Sequence, residues 1–342
     1  SGAASGSPAV GAVVTPNTSS STTGVVSGTE LLASSGIGVD ALGATTSGAI
    51  GGPGTDGARS ALCARTLSLE ARALVSWVRP DSQGRIDAQA MTAELRPDTR
   101  LVSLVLANTV VGTLQPVAAV AAICRDQGVP VMCDAVQAVG KVAVHVDELG
   151  VDYLTLGAHK FYGPLGAAAL WVGKGSVLKP LLTGGSQERQ RRAGTENVPA
   201  IVGMGRAAEL ARVELAERRA HTSELRCRFE AGLEAIADTI IHGNKAERLA
   251  NTSHVAFLGV DNQSLLIRLD LAGLAVSAGA ACSSGVVEPS GTLLAMGVSR
   301  EEALSAIRVS FGQSNTTREV DRLLETLDCQ VEELRRLSAT GS

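Results

Sequence analysis

Asp134 closes the apolar run VPVMCDA and Lys160 follows the run VDYLTLGA, so a carboxylate and an amine stand at the ends of two segments that read as buried strands. In open α/β sheets, ligands bind outside the carboxyl ends of the strands, which sends both groups toward one site. A lone lysine after a strand is most often a solvated side chain. The pairing changes that weighing, because His159 also stands beside the amine. An amine that can form a Schiff base and a carboxylate that keeps a pyridine nitrogen protonated are what pyridoxal phosphate requires. A third feature is SAGAACSSG, residues 277 to 285, where Cys282 sits among small uncharged residues. Such a loop can carry a thiol toward a ligand and away again, but it is equally the composition of a tight turn around an inert cysteine. Local sequence leaves both readings open.

The elements that must position these groups are legible beyond about residue 66. LVSLVLA (101 to 107), PVAAVAAICRDQG (116 to 128) and VPVMCDA (129 to 135) predict strand, helix and strand, the length of one parallel βαβ unit. VDYLTLGA and GAAALWVG predict further strands, apolar throughout as strands covered on both faces are. Between about 200 and 238 the apolar positions recur at helical spacing, giving one long helix or two joined end to end. SHVAFLGV and AIRVSFG then read as short strands, and EVDRLLETLDCQVEELRRL as a terminal amphipathic helix, which suits a smaller α+β domain. Residues 1 to 60 differ. They hold thirteen of the 38 glycines, four charged residues, no lysine and no aromatic ring, a composition that reads as linker or disorder.

Length and charge narrow the function. A chain of 342 residues holds one large domain or two of moderate size. The net charge of −4 and the lack of a long basic run give no electrostatic footprint for nucleic acid, which leaves a small molecule as the expected partner. The six cysteines (63, 124, 133, 227, 282, 329) follow neither C-x-x-C nor zinc-type spacing, so neither a disulfide framework nor a metal site is expected, and a reducing compartment fits. No apolar run of about 18 residues and no basic segment ahead of an apolar one is present, so the expected location is the cytoplasm, without membrane contact.

The segments DAVQAVGK, LTLGAHKFYGPLG, TGGSQERQRRAGTENVPAIVG, SAGAACSSG and AIRVSFG, in this order and spacing, resemble the cysteine desulfurases of the NifS/IscS type, within the class V, fold-type-I pyridoxal phosphate enzymes. The resemblance runs almost continuously over residues 70 to 335. It implies a large cofactor-binding domain over about 1–212 with a mainly parallel seven-stranded sheet, and a smaller α+β domain over 213–342 carrying the nucleophile loop. It also implies roles. Lys160 would carry the cofactor covalently, Asp134 would pair with the pyridinium, Gln137 would hydrogen-bond the ring oxygen, and His159 would contact the phosphate. VVSGTELLA resembles the family's phosphate-cradling segment and assigns Thr29 to the phosphate. Thr195 resembles a threonine that reaches the phosphate from the other subunit, implying a homodimer with shared sites. Arg308 would clamp the substrate carboxylate, with Asn108 and Thr109 beside the substrate. Cys282 stands where the family has its nucleophile.

The implied reaction converts L-cysteine to L-alanine and leaves a persulfide on Cys282 for an acceptor or Fe–S scaffold protein. Two other readings remain: a selenocysteine lyase or another class V pyridoxal phosphate enzyme, and a catalytically weak homologue that serves as a binding partner in sulfur transfer. The departures from the family pattern bear on these. Thr109 replaces an asparagine, Val110 an acidic residue, Gly157 a phosphate-contacting serine and Ala280 a serine, while the ring-stacking histidine falls near Gly57 or Ala58.

Overall fold

The apolar runs assemble into two sheets. The computed structural model describes residues 11 to 16, 73 to 278 and 288 to 340. Its larger sheet contains β1 (Gly11–Pro16), β2 (Ala73–Val78), β3 (Leu101–Val105), β4 (Val131–Asp134), β5 (Tyr153–Gly157) and β6 (Ala168–Val172), in the order β2-β1-β3-β4-β5-β6. The sequence leads one to expect seven strands, mostly parallel. Among the described residues there are six, and parallel pairing is confined to β3-β4-β5. β1 runs antiparallel to both its neighbours, and β6 runs antiparallel to β5. Connection length explains part of this: parallel neighbours need a long crossover, whereas β5 and β6 are joined only by residues 158 to 167. β6 is also half-buried along its whole length rather than covered on both faces, and among the described residues it is the last strand of the sheet.

The crossover from β3 to β4 contains α2 (Val117–Asp126), preceded in the chain by α1 (Ala88–Ala93). α2 buries Val117, Val120, Ala121 and Cys124, the i, i+3, i+4, i+7 face, in the core that also takes Val102, Leu104, Val131 and Cys133. It ends before Gly128, whose φ of +67° closes the helix as the sequence pattern predicts. The crossover from β4 to β5 carries only the single-turn α3 (Val146–Leu149).

The long helical stretch is two helices end to end, α4 (Val198–Val213) and α5 (Leu215–Gly232), meeting at Glu214. Asn197 caps α4, its side chain accepting from Ala200 N–H, with Pro199 in the first turn. The smaller sheet is β7 (Thr239–His242), β8 (Thr252–Phe257) and β9 (Ala306–Ser310), antiparallel throughout. α6 (Asn262–Leu271) and the terminal α9 (Thr317–Thr340) cover one of its faces together with α5, through Phe229, Leu265, Leu269, Val320 and Leu327 packed on Val255, Ile307 and Val309. The opposite face, with Ala256 and Ala306, packs on Val110 and Val111 from the loop after β3 and on α7 (Gly291–Ala295) and α8 (Arg300–Leu304). The two sheets therefore meet where the β3 loop reaches β9.

Candidate active site

β4 and β5 lie side by side and parallel, with Asp134 in register with Thr155, so their carboxyl ends open on the same edge of the sheet. Asp134 is the last residue of β4, and its Oδ1 accepts from Val136 N–H at 2.9 Å, which starts a turn over 135 to 141. Gly140 completes that turn at a φ of +77°. A Cβ there would lie 2.8 Å from Cβ of Phe161, so only glycine lets the turn pack against this side chain, itself 1% exposed. Lys160 immediately precedes Phe161, at the end of a short helical turn, Ala158–Lys160, that follows β5. The motifs DAVQAVGK and GAHKFYGP are thus held together by a glycine–phenylalanine contact. That contact carries Asp134, Gln137, His159 and Lys160 to one edge.

The Lys141 ammonium donates to the carbonyl oxygen of Gln137 at 3.0 Å and to its side-chain Oε1 at 3.1 Å. An ammonium has no acceptor to offer, so the amide of Gln137 must turn its oxygen to Lys141 and its NH₂, a donor, elsewhere. That is the end required for a ring oxygen. Burial, the charge of Lys160 and the charge of Arg308 lower Lys141 to about 8. Three cations, Lys141, Lys160 and Arg308, thus lie within electrostatic reach of one another. The sequence assigned Lys141 no role, although it stands four residues after Gln137, the spacing at which side chains meet across one turn.

This lowered value carries a stability consequence. Above about pH 8 the folded protein sheds the Lys141 proton while the unfolded chain holds it up to the ordinary lysine range, so stability rises with pH across that window and the penalty is complete below it. Thermal unfolding of the apo-protein should show a steeper rise between about pH 8 and pH 10 for the wild type than for Lys141→Met, by a few degrees. Equal slopes would mean that Lys141 is charged at no cost.

Arg308 reaches the site from the smaller sheet. It lies on β9, and its Nη1 donates to the carbonyl oxygen of Thr109 at 3.0 Å, which joins two of the residues assigned to the substrate. Asn108 is buried, and its Oδ1 accepts from Val110 and Val111 N–H at 2.8 and 3.0 Å, shaping the loop that offers Thr109. Ser277, the first residue of SAGAACSSG, is bridged to Arg308: Arg308 N–H donates to Ser277 O at 2.6 Å and Ser277 N–H to Arg308 O at 3.1 Å. Cys282 itself lies outside the described residues, as do Thr29, Ala280 and the positions around Gly57 and Ala58. Five residues of chain span at most about 18 Å, so the thiol is tethered to the strand that carries Arg308.

His159 and Lys160 are exposed at the rim. A Cβ on Gly157 would lie 3.2 Å from Cε1 of His159, so the imidazole occupies space that a serine at 157 would crowd. Thr195 is exposed in the segment ahead of α4 and, among the described residues, makes no hydrogen bond to any of these groups. Two of the other cysteines are chemically quiet. Burial, then the charge of Asp152, pushes Cys124 up to about 11, and burial, then Asp134, raises Cys133 further still.

The description "aminotransferase class-V" fits residues 55 to 323. The chain belongs to the class V aminotransferase family. It is 41% identical over 264 residues to a cysteine desulfurase IscS of Methanosarcina thermophila, covering 77% of this chain and 65% of that protein. It is 43% identical over 265 residues to a cysteine desulfurase of Gluconacetobacter diazotrophicus, covering 77% and 66%. The chain thus spans a little under two thirds of these relatives. Among solved structures, a NifS-like protein superposes with a TM-score of 0.74 at 36% identity, over 81% of this chain and 72% of that one. A NifS-like protein from Rickettsia africae gives 0.69 at 31%, over 75% and 69%. The two-sheet architecture is that of the fold-type-I pyridoxal phosphate enzymes.

Pyridoxal phosphate is the family's cofactor, and the side chains here suit it. It brings a phosphate, a phenolic oxygen and a pyridinium. The cluster offers three cations for anionic groups, an amide fixed with its donor outward, and a single carboxylate at a strand end.

Proposed function

We propose that this family member is a cysteine desulfurase, taking L-cysteine to L-alanine and leaving sulfane sulfur on Cys282. The observation that supports this most is the backbone bridge between Arg308 and Ser277, because it couples a carboxylate clamp to the segment that carries the thiol. A general amino-group transferase has no use for that coupling.

In this reading Lys160 would hold pyridoxal phosphate covalently, Asp134 would meet the pyridinium, Gln137 would donate to the ring oxygen, and His159 and Thr29 would contact the phosphate. When bound, the cofactor supplies an electron sink for the pair left at the substrate's Cα. Arg308 grips the substrate carboxylate through two parallel N–H donors, with Asn108 and Thr109 beside it, and so fixes which substituent of Cα faces the cofactor. The Lys160 amine would be the group placed to move the Cα proton. The Cys282 thiolate then forms an S–S bond to the substrate sulfur as the C–S bond breaks. The electron pair of that bond stays with Cβ, which takes a proton to become the methyl of alanine, so no external oxidant or reductant is needed. Adding L-cysteine to the purified holoprotein should shift its visible absorption band and release alanine in step with sulfur. A spectrum that responds to cysteine without alanine appearing would instead favour the scaffold reading.

The homodimer belongs to the same proposal. Leu165, Val198, Ile201 and Val202 are exposed, Leu165 at 81% and Val202 at 66%, and close packing of Pro164 on Gly203 brings them to one surface just after Thr195. An apolar patch of this kind next to an exposed phosphate-contacting threonine suits a partner copy. Thr195→Val should weaken cofactor retention about tenfold, the worth of one hydrogen bond to a charged group. In mixed dimers that loss should fall on the site of the subunit that keeps its threonine. A monomer with full cofactor occupancy would contradict the arrangement.

We place the boundary of the two domains near residue 213, where α4 ends. The product persulfide suits an acceptor or Fe–S scaffold protein in the cytoplasm. Among the described residues, no helix is long and apolar enough to cross a membrane.

A further inference from the structure

Across the smaller sheet three side chains stand in one row. His242 on β7 is in register with His254 on β8, and His254 with Arg308 on β9. They share the face that carries Ala256 and Ala306 toward the β3 loop, and Glu302 of α8 packs over its outer end. His242 is 5% exposed and His254 fully enclosed. His242 Nε2 lies 2.7 Å from Glu302 Oε1, and the two Nδ1 atoms of the histidines lie 2.9 Å apart. The two rings also lie against each other, with centroids 5.1 Å apart at an interplanar angle of 50°.

The direction of those bonds follows from the ends of the row. A carboxylate only accepts, so His242 carries its proton on Nε2. Burial lowers His242 despite the opposing pull of Glu302, and it lowers His254 well below the ordinary range, where a proton on His242 and the charge of Arg308 both oppose a second positive ring. Both rings are therefore neutral at pH 7. A neutral imidazole has one N–H, so His242 Nδ1 accepts and His254 Nδ1 donates. His254 Nε2 is left as a bare lone pair, buried and without a hydrogen-bond partner among the described residues. With Nδ1 turned toward β7, the Nε2 edge of the ring is turned away from it, toward the Arg308 side.

A guanidinium has five N–H donors and no acceptor. A carboxylate gripped in bidentate fashion takes two, and Thr109 O takes another. We propose that Glu302, His242 and His254 form a polarised relay whose final lone pair receives a further N–H of Arg308 when a carboxylate is bound, which makes His254 a positioning residue for the clamp. This rests on the reading of Arg308 as the carboxylate clamp. Glu302 and His242 act through His254 by fixing its tautomer.

The test separates the relay from the clamp. Holoprotein is titrated with L-cysteine and with cysteamine, which keeps the amine and thiol and lacks the carboxylate, and binding is followed by the visible spectrum. His254→Leu should weaken L-cysteine binding by about tenfold and raise KM more than it lowers kcat, with cysteamine binding unchanged. His254→Gln, which can restore an acceptor, should recover part of the loss. If Arg308→Lys leaves the preference for L-cysteine over cysteamine intact, the clamp reading itself fails. If Arg308→Lys destroys that preference while His254→Leu preserves it, the clamp stands and the relay is wrong. Imidazole nitrogen NMR on the wild-type apo-protein, assigned by single histidine replacements, reads the tautomers without any turnover. A neutral His254 protonated at Nδ1 is expected, and a proton on Nε2 would overturn the proposal.

Discussion

Lys160→Ala should purify without covalently held pyridoxal phosphate and show no measurable turnover of L-cysteine. Lys160 is exposed, so the replacement removes the amine without opening the core, and the fold should survive. The chain has five lysines: Lys174 and Lys179 follow β6, which runs antiparallel to β5, and Lys245 follows β7 of the smaller sheet. Lys141 is the serious competitor. It is in the cluster, and its value of about 8 leaves an appreciable neutral fraction at mildly alkaline pH. Its Nζ, however, is engaged with both oxygens of Gln137, whereas Lys160 stands at the rim. Borohydride reduction of the holoprotein followed by peptide mapping decides between them. Label on the GAHKFYGP peptide supports Lys160. Label on DAVQAVGK would move the attachment point across the cluster and exchange the roles given to Lys141 and Lys160.

The sequence made the strand-end groups legible because parallel strands announce themselves: unbroken apolar runs locate β4 and β5, and their ends place Asp134 and Lys160. It did not reveal β1, whose GAVVTP sits in a stretch so rich in glycine and serine that composition outweighed four apolar or β-branched positions in a row. Nor could it reveal antiparallel pairing at both margins of the larger sheet, since the direction of a strand is set by its connection and not by its residues. Lys141 escaped for a different reason. Its importance lies in a contact to Gln137 and in the proximity of Arg308, which is 167 positions away and on another sheet. The row His242, His254, Arg308 is likewise a product of register: it exists only once β7, β8 and β9 are aligned, and three scattered residues in a sequence carry no trace of it.

Cys282→Ala should still bind pyridoxal phosphate and still answer L-cysteine with a spectral shift, because neither step uses the thiol, while alanine and sulfane sulfur formation should fall to the background level. The remaining cysteines offer no substitute. Cys124 at about 11 would be thiolate in only ~1 molecule in 10,000 at pH 7, and Cys133 less often. Cys227 and Cys329 are exposed but lie within α5 and α9, where a regular helix fixes the position of each thiol. Cys63 lies outside the described residues, and Cys63→Ala is the control that separates it from Cys282. A brief exposure of the wild type to L-cysteine, followed by mass spectrometry, should place one added sulfur on the peptide containing SAGAACSSG. The anchoring of that segment makes the expectation sharp: Ser277 is bonded to the strand that carries Arg308, so a substrate held by its carboxylate lies beside the root of the loop that must deliver the thiol. Turnover of the Ala variant at the wild-type rate would mean that sulfur leaves without passing through a protein thiol, as in a lyase, and the bridge between Arg308 and Ser277 would then be a brace for the sheet edge and nothing more.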